Sequence, residues 1–246
     1  MSNSTISTES RERLEVITLD RPRKRNALTI ELCWQLGDAV TSAVTRGARA
    51  IVLTGAGTSF CAGADLDEVH SEDFRDALYT MLHTVADVPV PVVAAVNGPA
   101  IGAGVQLAIA ADLRIVAPAA VFGLPTAKIG LAVDPWTIRR LALLGGPGTA
   151  RSLLIACDQV DADAACRCGL AERAGSLPQA IEWADGMTAL APLTVAYSKQ
   201  VLNKLFEPPL SDAALNSAFE AFWASRDFAE GRRAHAEKRR PEFEGR

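Results

Sequence analysis

The sequence predicts an α/β protein in which parallel strands alternate with helices, and the prediction rests on two features. Short apolar runs, RAIVLTG at 49–55 and PVVAAVNG at 91–98, each pass into a glycine-rich loop and then into a helical pattern. That order is the signature of stacked strand–helix–strand units. From about Asp134 onward the strands stop and the patterning turns almost wholly helical.

The elements follow in order. LEVITL at 14–19 alternates as a strand, the polar segment RPRKRNAL follows, and an amphipathic run covers about 29–45. RAIVLTG forms the next strand, GAGTSFCAGAD a loop, and a helical pattern covers about 65–86. PVVAAVNG is a third strand, 102–111 a helix, and LRIVAP a fourth strand. Beyond these lie the helical segments PWTIRRLALLGG, PGTARSLLIACDQ, DADAACRCGL, PQAIEWADGMTALAP, LTVAYSKQVLN, LSDAALNSAFEAFWASRD and FAEGRRAHAEKRR. The division expected is a flexible tail at 1–12, a core at 13–195 and a C-terminal helical lobe at 196–246 that packs on a neighbour.

Composition narrows the function. With 49% hydrophobic and 22% charged residues the chain suffices for one sizeable core. A net charge of −4 argues against a nucleic-acid partner. No apolar run reaches the roughly 18 residues of a membrane helix, so no membrane insertion is expected. The polar start MSNSTISTES lacks a signal pattern, which points to a cytoplasmic protein. Five cysteines without paired CxxC spacing and three histidines outside any HxxxH pattern leave no metal site to expect.

The two glycine loops carry the chemistry. A strand that turns through glycine into a helix leaves backbone N–H groups unpaired, and a helix start favours developing negative charge. GAGTSFCAGADL at 55–66 and GPAIGAG at 98–104 lie on neighbouring strands. Each could offer one N–H to a single carbonyl oxygen. The simpler reading of the first loop is a capping box, Asp65 with Glu68. A dinucleotide fingerprint fails in both loops, because Phe60 and Leu107 stand where the third glycine or alanine belongs.

RPRKRNAL, VLTGAGTSFCAGADL, PVVAAVNGPAIGAGVQLAIAADLRIVAP, GL…RRL and the closing SRDFAEGRRAHAEKRRPEFEGR together resemble the crotonase superfamily of enoyl-CoA hydratases and isomerases, from about residue 13 to 246. The resemblance implies a repeated ββα core, a C-terminal helical region, a homotrimer or hexamer, and an acyl-CoA or enoyl-CoA ligand without any other cofactor. It also implies that the thioester oxygen accepts backbone N–H bonds from Ala64 and Ala103. The segment PTAKIGLAVDPWTIRRL further resembles an actinobacterial subgroup that binds acyl-CoA in lipid synthesis.

Hydratases of this family use two glutamates to activate water, and the matching positions here are Gln106 and Thr126. An amide orients water but takes no proton, and a threonine hydroxyl is a poor base. Asp134 has two readings: proton transfer or nucleophilic attack, as in some relatives, or an N-cap followed by Pro135 at the first helical position. By resemblance Arg23, Lys24, Arg25 and Lys238 lie near the adenosine and phosphate end of CoA, with Ala62, Asp65 and Leu66 completing the contacts and Lys238 reaching a neighbouring subunit. His235 departs from the aromatic common in the family. Tyr79 and His83, four apart on one helical face, could line the acyl pocket or pack as ordinary core groups. The expectation is an acyl-CoA binder of fatty-acid and lipid metabolism without efficient hydration. The alternative is an isomerase, hydrolase or slow hydratase using Asp134.

Overall fold

The computed structural model describes residues 5–205, 217, 220, 221 and 223–244. A six-stranded sheet runs β1 (Ile6–Arg11), β2 (Leu14–Leu19), β3 (Ala50–Gly55), β4 (Val92–Val96), β6 (Leu113–Val116), β9 (Arg173–Ala174), in that spatial order. Its neighbouring strands are parallel except β1 and β2. A smaller sheet joins β5 (Ala100–Ile101), β7 (Val121–Gly123) and β8 (Gln159–Asp161).

The central strands read as unbroken apolar runs because both faces of the sheet are covered. Ile17, Ile51, Leu53, Val92 and Ala94 face α1 (Ile30–Thr45), α2 (Glu72–Asp87) and α3 (Ala103–Ala110) in one core. Val16, Val52, Val93 and Ala95 point to the opposite side, where Ala180 and Ala184 of α6 (Leu177–Thr188) cover them. α1 buries Leu32, Leu36, Val40 and Ala43, a stripe at helical spacing, and Thr29 caps it by accepting from the Leu32 amide. α3 is buried on every side, so it shows no polar face.

Three expectations need correction. Residues 6–11, read as tail, form β1, whose side chains after Ile6 are exposed; an edge strand with polar side chains carries no apolar alternation to announce it. α2 begins at Glu72 rather than near Asp65. Ser71 caps it by accepting from the Phe74 amide, and 65–71 fold instead as turns in which the Val69 amide donates to the Asp65 carbonyl. The expected boundary at 195/196 falls inside α7 (Pro192–Leu205). Most of LSDAALNSAFEAFWASRD lies outside the described residues.

Further helices are α4 (Pro135–Arg151), kinked where Gly146 takes φ +81° ahead of Pro147, α5 (Ala162–Cys168) and α8 (Arg226–Ala236). α8 packs on its own chain. A Cβ on Gly231 would meet the Ile129 carbonyl oxygen at 2.2 Å, and Phe228 stacks edge-on against His70, ring centroids 5.3 Å apart. Glu230 fixes the turn that follows α8, accepting from Arg239 at 3.1 Å and from the Glu242 amide at 2.9 Å, and these bonds hold its carboxyl down at about 2. No helix among the described residues is long and apolar enough to cross a membrane.

Glycine spacing makes α8 docking testable. Gly231→Ala should loosen α8 and speed proteolytic cleavage within 226–244. Gly37→Ala, with open space around the new methyl, should leave cleavage unchanged and raise stability by up to about 1 kcal/mol in a urea titration.

Candidate active site

Segments 25–28, 55–65 and 97–104 build the site by touching backbone to backbone. The Cys61 amide donates to the Pro99 carbonyl at 3.2 Å and the Ile101 amide to the Cys61 carbonyl at 2.9 Å. On the other side the Leu28 amide donates to Gly63 at 2.8 Å and the Asp65 amide to Leu28 at 2.7 Å. Such approach requires glycine: a Cβ on Gly104 would stand 2.1 Å from the Cys61 carbonyl oxygen. Gly63, at φ +99°, lies so near the second loop that its Cβ would be 3.6 Å from the Ala103 nitrogen.

Two amides are left over where the loops meet. Residues 63 and 65 pair with Leu28, and the Gly102 amide donates to the Gly123 carbonyl at 2.8 Å. Among the described residues, neither the Ala64 nor the Ala103 amide donates to a backbone carbonyl. Ala103 opens α3 directly after Gly102, which has φ +55° and ψ −119°, so the second amide stands at a helix N-terminus.

Asparagines hold the first loop. Buried Asn26 donates to the carbonyls of Ala56, Ser59 and Phe60 at 2.9, 2.8 and 3.2 Å and accepts from the Arg21 amide at 3.0 Å. Asn97 donates to Gly55 and Gly57 at 2.9 and 3.1 Å. The expected Asp65–Glu68 capping box does not form. Asp65 instead pairs with Arg21 at 3.2 Å, and Glu68 accepts from the Ile30 amide at 2.7 Å, supplying an acceptor at the start of α1. Both partners are distant in sequence, so the local spacing could not identify them.

One turn into α3, about 4.5 Å along its axis from Ala103, buried Gln106 enters a polar cluster with α2 and α4. Its Nε2 donates to Thr137 Oγ1 at 2.9 Å and faces Asp134 Oδ1 at 3.5 Å, while the Thr137 hydroxyl donates to the same Oδ1. Asp134 Oδ2 accepts the amides of Trp136 at 3.0 Å and Thr137 at 3.3 Å, so the carboxylate caps α4. Burial holds the Asp134 carboxyl above its ordinary value against these bonds. The Tyr79 phenol is hydrogen-bonded to the Asp134 backbone and the Gln106 side chain, and burial together with the Asp134 charge pushes it up. His83, on the same α2 face, packs its ring 5.1 Å from Trp136.

The other expected residues divide. Exposed Arg23, Lys24 and Arg25 occupy the turn at 22–25, and the Arg25 carbonyl accepts the Ala62 amide at 2.9 Å, which sets the basic run beside the first loop. Leu66 is exposed next to Asp65. Thr126 lies in the turn Pro125–Ile129 just past β7, where its carbonyl accepts the Leu131 amide at 2.9 Å. Lys238 stands exposed after α8, and no hydrogen bond or ion pair among the described residues joins it to the 21–25 run. Asn26 and Thr137 were not anticipated; each joins a near neighbour, Arg21 or Asp134, to a segment about 30 residues away. A cleft of about 550 Å³ lined by Leu143, Met187, Leu190 and Leu202 shares no residue with this cluster.

Removing the cap has a signed consequence. Asp134→Ala should destabilise by about 1–2 kcal/mol at neutral pH in urea unfolding. Because the folded carboxyl titrates above its unfolded value, Asp134's advantage over alanine is greatest in acid and shrinks as pH rises through the folded value.

Comparison with known proteins agrees with the fold. A family profile described as enoyl-CoA hydratase/isomerase matches residues 9–246. A curated relative described as probable enoyl-CoA hydratase echA6 of Mycobacterium tuberculosis is 44% identical over 248 residues, 98% of this chain and 99% of that protein. The crystal structure of an enoyl-CoA hydratase/isomerase from Pseudoalteromonas atlantica superposes with a TM-score of 0.86 at 28% identity, covering 98% and 100% of the two chains. Methylmalonyl-CoA decarboxylase has the same fold, with a TM-score of 0.90 at 23% identity over 99% of both chains. With the profile spanning nearly its whole length, this chain belongs to the enoyl-CoA hydratase/isomerase family, the crotonase superfamily.

Proposed function

We propose that the protein binds acyl-CoA thioesters of fatty-acid and lipid metabolism through the Ala64 and Ala103 amides and does not hydrate them efficiently. The observation that carries this reading is the meeting of the two loops, where two amides without backbone acceptors sit beside a helix start. Relatives named for enoyl-CoA chemistry support the ligand class. The acid–base residues support the rest. Gln106 stands at one hydratase position and its amide is spent on Thr137 and Asp134; Thr126 stands at the other. Without a base, water near the third acyl carbon keeps its proton.

The CoA end would meet Arg23, Lys24 and Arg25 beside the first loop, with Lys238 supplied from the C-terminal turn. The assembly in this reading is a cytoplasmic homotrimer or hexamer. Leu193, 84% exposed, and Tyr197, 66% exposed, leave α7 with apolar surface suited to such packing.

Position 103 allows a test, because proline is tolerated at the first helical residue and replaces the N–H by a ring methylene. Ala103→Pro should weaken calorimetric binding of an acyl-CoA about three- to tenfold, the worth of one hydrogen bond to a neutral carbonyl, and leave binding of free CoA unchanged. Equal binding of the thioester by variant and wild type would overturn the amide role. Turnover of crotonyl-CoA at ordinary enzyme rates, lost in Asp134→Asn, would replace the binding reading with the catalytic one.

A further inference from the structure

Thr137 belongs to no role assigned above, yet it is fully buried and touches both side chains on which the chemistry of the site turns. We propose that Thr137 is a positioning residue that keeps Asp134 a helix cap and withholds it as a proton acceptor from a bound thioester. The inference rests on the acyl-thioester reading above.

The direction of the hydrogen bonds carries the argument. An ionised carboxylate only accepts, so the Gln106 group 3.5 Å from Asp134 Oδ1 is its NH₂, and that NH₂ donates to Thr137 Oγ1 at 2.9 Å. With its oxygen accepting from Gln106, the Thr137 hydroxyl sends its own proton to Asp134 Oδ1. Oδ2 is occupied by the amides of Trp136 and Thr137. Both carboxylate oxygens are thereby committed, and each donated bond offsets part of the rise that burial imposes on the carboxyl.

The withheld chemistry is specific. A thioester whose oxygen rests on two amides needs only a base to lose a proton from its second carbon, and Asp134 stands beside Gln106, one turn along α3 from Ala103. In the step held back, Oδ1 takes that proton, the C–H electron pair becomes the enolate double bond, and the negative charge falls on the thioester oxygen at the amides. Return of a proton from the carboxyl restores the acyl chain, with no change of oxidation state. In D₂O the carboxyl exchanges with solvent and the returning particle is a deuteron.

Replacing the hydroxyl by a methyl of similar shape takes away the Thr137 donor and leaves Oδ1 only the long 3.5 Å contact with Gln106 Nε2. The experiment incubates butyryl-CoA with each protein in D₂O, follows deuterium at the second carbon by mass spectrometry, and measures butyryl-CoA binding calorimetrically alongside. Wild type and Thr137→Ser, which keeps the hydroxyl, should exchange at the same low rate. Thr137→Val should bind as wild type does and exchange about tenfold faster or more, with a rate that rises with pH through one carboxyl titration. Adding Asp134→Asn to Thr137→Val should return the rate to that of wild type. Thr137→Ala replaces the valine variant if valine prevents folding. Exchange by the valine or alanine variant at the wild-type rate with binding intact, or a serine variant that behaves like valine, overturns the proposal. Failure of wild type to bind butyryl-CoA or longer acyl-CoA thioesters overturns the acyl-thioester reading itself, a result distinct from unchanged exchange in a protein that binds.

Discussion

The site depends on one constraint: three stretches of main chain approach within hydrogen-bonding distance with no side chain between them. Gly104 cannot carry a Cβ without meeting the Cys61 carbonyl, and Gly98 would meet the Thr58 carbonyl oxygen at 2.1 Å. Where backbones pair this closely, nearly every amide finds a carbonyl, and the exceptions are few. Ala64 and Ala103 are such exceptions. Asn26 and Asn97 hold the loop from opposite sides, so the two amides keep their relative position through polar bonds within the protein rather than through contact with a ligand.

Side-chain polarity is equally committed one turn further along α3. Gln106, Thr137 and Asp134 form a buried chain in which each donor has an acceptor. A glutamate at 106 would set a second carboxylate against Asp134 in a desolvated setting, at the cost that like charges impose on each other. Amide and hydroxyl fit beside Asp134 without that repulsion. The cluster is thus consistent as it stands, and its chemistry follows from Asp134 serving as a cap.

Much of the fold was legible because burial on both faces of the sheet leaves a plain trace. β3 and β4 are continuous apolar runs, and α1 shows its stripe at helical spacing. Less legible were elements too short for any period: β5 and β9 have two residues each, and their pairing depends on strands far along the chain. β1 is an edge strand with polar outward side chains and looks like a tail. At the site, the glycine loops and Asp134 with Pro135 were readable, since backbone geometry and capping are local. Glu68 bonding to Ile30, Asp65 pairing with Arg21, and Thr137 bridging to Gln106 were not, because each joins segments that only tertiary packing brings together.

The pairing of two unused amides with a committed carboxylate bears on what the site does energetically. Donors accelerate a reaction only when they hold the transition state more tightly than the bound ligand, and the difference arises when negative charge develops on the oxygen they touch. That charge develops when a base removes a proton or a nucleophile attacks. On the binding reading neither group is available: the Gln106 amide takes no proton, and both oxygens of Asp134 are occupied within α4 and by Thr137. The amides would then stabilise the ground-state carbonyl and little more. On that reading, an architecture able to stabilise an enolate when a base is present would serve to hold a thioester when the base is engaged elsewhere.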